Sequence, residues 1–483
     1  MMLPTRLDNP QETPAAMLRQ AMSAARGALR FAVRLGALAA ALTLAVQPAA
    51  AQQKRPKLIR DVEIETLLRD YMRPIWAAAG LTQQNIRVVL IDDPSFNAFV
   101  MDGKRIFVNT GALMQSDTPN EIIGVLAHET GHIAGGHLAR MRLQLEGAQT
   151  AAIVAMLLAV GGVAASAGSD NVGGNPAGLI TGPQEAIRRT LLAYQRGEEQ
   201  AADRAAVSYL SATKQSPRGM VKTFERFQND QLFISQRVDP YVLSHPMARE
   251  RIAALEELAA RSPYVNAKDP PALQARHDMM RAKLYGFTQR PDAVARRYPL
   301  SNTSLPARYA RAISTYRFGN VPDGVRQIDG LIAEQPNNPY FYELKGQALL
   351  ESGRAREAVA PLRKATELTG GNPLLRTMLG QSLVESGDKA STDEAIRELN
   401  FGLQRDSNSS TGWRYLATAY GQKGDLANAD LASAQSAFYG GDYKLARELA
   451  GRARLKFPLG SPGWLKADDI VNFKPPSMPV RRQ

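Results

Sequence analysis

A mostly helical α+β domain with one small sheet, followed by an all-α solenoid, is the fold class the sequence predicts. Three observations carry this: the pentapeptide HETGH (128–132) inside a helix-periodic run, two short β-rich stretches before it, and a 34-residue spacing of small residues towards the C-terminus. Length agrees, because 483 residues exceed what one hydrophobic core organises and suggest two or three domains. With 44% hydrophobic and 22% charged residues the composition is that of a globular chain. The net charge of +13 is spread over both halves without a basic run interleaved with aromatics, which argues against a nucleic-acid partner. Cysteine is absent, so neither disulfides nor thiolate metal ligands contribute.

At the N-terminus, Arg26, Arg30 and Arg34 precede the apolar run 35–46, and Ala49 and Ala51 offer an A-x-A cleavage site before Gln52. This is the pattern of a secretory signal peptide over 1–51, and its apolar run is too short to span a bilayer. A periplasmic location follows as the expectation. The next domain is expected over 52–261. It opens with an amphipathic helix over 61–80 ending at Gly80. Strands are predicted over 86–92 and 105–111, flanking SFNAFVMDG, with a hairpin turn at Asp102-Gly103. If Asn97 and Ala98 lie on a sheet edge, an extended substrate backbone can pair there; a purely structural hairpin is the alternative.

The run from about Pro119 to Glu146 reads as one helix, on which positions four apart share a face. His128 and His132 then aim two imidazoles at one zinc ion, with Glu129 beside them as general base, as in a zincin-like metallopeptidase. A third ligand is required. His137 lies about half a turn out of phase and one residue short of the metzincin spacing, so it reads as a packing or surface residue. A second helical stretch, 186–210, offers Glu199 and Asp203 at i and i+4. Glu199 can ligate the metal while Asp203 accepts the other ring N–H of a ligand histidine; a solvated acidic face is the alternative. Between the two helices, 147–169 carries no charge and reads as an apolar flap over the cleft that can touch membrane, or as a membrane span.

HETGH followed by EQAAD (199–203) resembles the M48 family of zinc metallopeptidases, and the likeness extends to NAFVMDGKRIFVNTGAL (97–113) and SHPMARERI (244–252). The resemblance implies zinc on His128, His132 and Glu199, Glu129 as base, a substrate strand at 97–113, and functional roles for His245 and Arg251. Pro246 restricts His245 to extended backbone, so its imidazole projects from a loop as a fourth zinc ligand or an oxyanion stabiliser.

A connector is expected over 262–305, with one helix inside it and His277 on the surface. Beyond it, Ala312/Gly319, Gly346/Gly353, Gly380/Gly387 and Ala417/Gly424 recur at steps of 34, 34 and 37. That is the tetratricopeptide period, expected over 306–460 with a C-terminal tail at 461–483, and such stacked helix pairs ordinarily present a polypeptide-binding surface. A signal peptide, a non-membrane M48 domain and these repeats together resemble the exported members of the family. That likeness implies an endopeptidase for misfolded or unassembled outer-membrane proteins, with the repeats recruiting substrate or the outer-membrane assembly machinery. A repeat scaffold or chaperone with a silent protease domain, and an integral-membrane protease, are the alternatives.

Overall fold

The computed structural model describes residues 57–146, 195–233, 241, 245–246 and 249–475. The expected signal peptide and the apolar segment 147–169 lie outside the described residues. Helix α1 (Val62–Ala78) starts where the sequence expects, because the Asp61 side chain accepts from the Ile64 N–H and caps it. Its apolar face is buried through Ile64, Leu67, Leu68, Met72 and Ile75. Around it lies a four-stranded sheet, β1 (Leu58–Ile59), β2 (Arg87–Ile91), β3 (Ala98–Asp102) and β4 (Arg105–Asn109), in the order β1-β2-β4-β3. β2 and β4 pair in parallel and β3 forms the predicted hairpin with β4. The stretch between the two expected strands thus contains a strand of its own, at the sheet edge. After the short α2 (Thr110–Gln115) comes α3 (Pro119–Ala134), buried along nearly its whole length.

Here the structure departs from the sequence reading. The helix expected to reach Glu146 stops at Ala134; Gly135 and Gly136 form a turn, Gly136 at φ +65°, and a new helical run, α4, covers 137–146. A left-handed residue ends an α-helix, and glycine adopts it without steric cost. Helix α5 is described over 195–212, followed by α6 (Arg218–Phe233) and α7 (Arg249–Ala260). Gly124 and Gly131 set how closely α3 packs: a Cβ on Gly124 would meet Met220 of α6 at 2.6 Å, and one on Gly131 would meet the Ala202 carbonyl of α5 at 2.9 Å.

The connector is structural. Its helix α8 (Pro271–Thr288) places Met280 and Leu284 in the core around α1 and α3, and Met279 and Ala282 in the core of the repeats. His277 is buried rather than on the surface, its Nδ1 3.0 Å from the Tyr71 hydroxyl and its Nε2 2.8 Å from the Ser116 carbonyl oxygen. After α9 (Pro291–Arg297) the solenoid runs through α10 (Leu305–Phe318), α11 (Val321–Glu334), α12 (Pro339–Glu351), α13 (Ala355–Leu368), α14 (Pro373–Glu385), α15 (Thr392–Arg405), α16 (Ser410–Lys423), α17 (Leu426–Gly440), α18 (Tyr443–Lys456) and α19 (Pro462–Asn472). The period has a packing cause: a Cβ on Gly346 or Gly380 would fall within 2.5 Å of Leu362 or Leu399 on the partner helix. The three extra residues of the last step fall at a 3-10 turn, Lys389–Ser391. Residues 461–483 hold more than a tail, because α19 buries Ala467 and Ile470 against α17 and α18.

Candidate metal centre and active site

The contact of Gly131 with Ala202 brings α3 and α5 close enough for their polar faces to meet. His128, His132, Glu199 and His245 each offer one ligand atom, and these atoms lie within 4.8 Å of one another. His132 Nε2 is 3.0 Å from His128 Nε2, and the Glu199 carboxylate is 3.3 Å from His128 Nε2 and 3.5 Å from His132 Nε2. His245 enters from the loop before α7. Its Nδ1 is 3.1 Å from both Glu199 oxygens, while its Nε2 is 3.3 Å from Glu129 Oε1. All but His132 are buried.

Behind these groups stands a second layer. His128 Nδ1 is 2.9 Å from Asp203 Oδ1, the position of an acceptor that fixes the ring with its Nε2 lone pair towards the cluster. Arg251 clasps Asp203 with Nε and Nη2 at 2.7 and 2.8 Å, and its Nη1 lies 2.8 Å from Glu199 Oε2. Although burial pushes their carboxyls up, His245 and His128 hold Glu199, and Arg251 and His128 hold Asp203, below the usual range. Burial has its way at Glu129: its carboxyl is pushed up against the pull of His245 and His128. Both Glu129 oxygens are buried with no hydrogen-bond partner among the described residues.

Residues 60–259 match the model of peptidase family M48. These residues form a domain similar to the M48 metallopeptidases. The chain is 25% identical over 381 residues to the beta-barrel assembly-enhancing protease of Escherichia coli (strain K12), covering 77% of this chain and 75% of that protein. To the protein of that name from Yersinia pestis it is 25% identical over 392 residues, 80% and 78% of the two chains. Metalloprotease YcaL of Escherichia coli (strain K12) is 31% identical over 183 residues, 37% of this chain and 63% of that one.

Of the residues expected from the sequence, the M48 domain brings His128, Glu129, His132, Glu199, Asp203, His245 and Arg251 into one buried cluster. Arg251 sits behind Asp203 and Glu199, so it positions these groups rather than facing the reacting atoms. Asn97 and Ala98 lie apart, at the start of the edge strand β3, which packs against α3. The Asn97 carbonyl oxygen accepts from the Asn109 N–H at 2.9 Å, and its side-chain Oδ1 is buried with no partner among the described residues.

His137, expected as a packing or surface residue, is not at the surface and makes polar contacts of its own. It is buried, its Nδ1 is 2.8 Å from His132 Nδ1, and its Nε2 is 2.7 Å from Glu198 Oε2. Helical phase does not carry to His137, because the helix ends at Ala134 before it is reached. The signal was present in Gly135-Gly136, a helix stop immediately after the HETGH turn. Glu198, which the sequence does not single out, is the other residue of His137's second contact.

Proposed function

We propose that this chain is an exported zinc endopeptidase that cleaves misfolded or unassembled outer-membrane proteins, its repeats recruiting substrate or the machinery that assembles them. The observation that carries the catalytic part is the convergence of His128, His132 and Glu199 beside a buried Glu129 whose two oxygens accept no hydrogen bond among the described residues. The nitrogen and oxygen donor set suits zinc, and orphaned carboxylate oxygens suit a group that handles a substrate's water. His128, His132 and Glu199 would hold the ion, which when bound supplies Lewis-acid polarisation and makes water a nucleophile near neutral pH. Glu129 accepts the proton of the attacking water and returns it to the departing amine, and its raised pKa makes it the stronger acceptor for the first of these transfers. β3 is an edge strand of the sheet among the described residues, a place where an extended peptide can pair, which favours unfolded over folded clients.

His245 restrains this site in our reading, because one ring nitrogen sits among the ligand atoms and the other lies against Glu129, covering the place where water must enter. Export rests on the sequence of 1–51, and the outer-membrane substrate class rests on likeness to relatives named as beta-barrel assembly-enhancing proteases. No helix among the described residues is long and apolar enough to cross a membrane. The test is incubation of purified protein with one outer-membrane β-barrel, either urea-unfolded or folded in detergent. Cleavage of the unfolded form alone, stopped by a chelator, is the expected result. Equal cleavage of both forms, or chelator-resistant cleavage, contradicts the proposal.

A further inference from the structure

The two helical ligand histidines are braced in parallel ways, one of them indirectly. His128 meets Asp203, which Arg251 clasps. His132 turns its Nδ1 to His137 Nδ1 at 2.8 Å; His137 Nε2 meets Glu198 Oε2 at 2.7 Å; and Arg140 grips Glu198 through Nε at 3.2 Å and Nη2 at 2.8 Å. Each brace thus ends in a carboxylate and an arginine, and the second inserts an imidazole. We propose that His137, with Glu198 and Arg140 behind it, is a positioning residue that fixes the tautomer and orientation of His132 and so slows loss of the metal.

Proton counting permits only one direction along this relay. If His132 Nε2 presents a lone pair to the metal, its Nδ1 carries the hydrogen and donates it to His137 Nδ1. His137 must then be protonated on Nε2, which donates to the Glu198 carboxylate. An acceptor on the far nitrogen makes the ligand imidazole a better donor to the metal and stops the ring from rotating. The backbone is built for this geometry. Gly136 at φ +65° turns the chain back beneath His132, and a Cβ on Gly135 would lie 2.1 Å from His137 Nε2, so only glycine leaves room for the ring. Arg140 also donates from Nη1 to the Gly135 carbonyl, tying the relay to the end of α3.

The inference rests on the metal site proposed above, and its test separates the two. Full-length protein is loaded with zinc and mixed with a chromophoric chelator, and the release rate is compared among wild type, His137→Phe and Glu198→Gln. Phenylalanine keeps an aromatic ring and removes its nitrogens; glutamine keeps an acceptor oxygen and removes the charge. Release about 10–100-fold faster in His137→Phe, with a smaller acceleration in Glu198→Gln, is expected. Cobalt-substituted protein should show altered visible absorption in both variants, which loss of packing at a distance would not produce. Wild-type release and an unchanged cobalt spectrum in His137→Phe would make the ring a packing element and overturn the inference alone. Should His137→Phe fail to fold, wild-type release from Glu198→Gln overturns it equally. A wild-type protein that takes up no zinc would remove the metal site and this inference together.

Discussion

His245 sits between two tasks. Its Nδ1 shares the ligand cluster and its Nε2 faces Glu129 at 3.3 Å, the placement on which the proposed restraint rests. His245→Ala should therefore raise basal cleavage of a short peptide while zinc stays bound by His128, His132 and Glu199. A fall in turnover by about 10²–10³ at unchanged zinc content would instead assign the ring to the oxyanion. At this scale legibility followed local geometry. His128, Glu129 and His132 were readable because a four-residue step on a helix forces them together. Glu199 and Asp203 were readable as a pair, but their meeting with α3 depends on the Gly131–Ala202 contact, which no spacing encodes. The polar contacts of His137 were not legible for the opposite reason: spacing does not carry across Gly135-Gly136, where the helix has already ended.

Helix α8 is where the elements of the chain are joined. Its Lys283 is buried among Asp61 at 2.7 Å, Glu343 at 3.2 Å and Glu63 at 3.3 Å, so one cation from α8 binds the start of α1 to α12 of the repeats. The Tyr309 hydroxyl of α10 donates to Glu63 at 2.9 Å. Three carboxylates exceed what one cation neutralises. Burial pushes Glu343 up to about 7 against the pull of Lys283, from an ordinary value of 4.5. The folded state thus holds a proton that the unfolded chain releases, and the stability from that proton is complete below about 4.5 and lost as pH rises through about 7. The thermal midpoint should consequently fall between pH 5 and 8 more steeply in the wild type than in Glu343→Gln, as read by calorimetry. Parallel pH profiles would refute this account of the junction. None of this was legible in the sequence, where a Pro- and Arg-rich composition made 262–305 look like a connector, because burial of Lys283 is set by elements far apart in the chain.

The whole molecule is one consequence of that junction. Val62 packs with Ala365 and Leu375, and Arg60 reaches Asp406 at 2.6 Å, so the first residues of the M48 domain run along the repeats. Part of the repeat surface is therefore covered by the chain itself. Cutting after Ser262, at the boundary the sequence suggested, removes Met280 and Leu284 from the core and leaves Tyr71 without His277. Losing buried aliphatic side chains costs about 2–5 kcal/mol each, comparable to the margin of a folded domain. A protein ending at Ser262 should be insoluble, whereas one ending after α9 should fold and retain metal; a soluble, metal-bearing product of the first kind would show that α8 is dispensable. The central claim, that Glu129 moves protons beside a zinc ion it does not hold, is tested most directly by assaying purified Glu129→Gln for zinc content and peptide hydrolysis together. Near one equivalent of zinc with hydrolysis abolished is the predicted result, and wild-type hydrolysis or loss of the metal in that variant would contradict it.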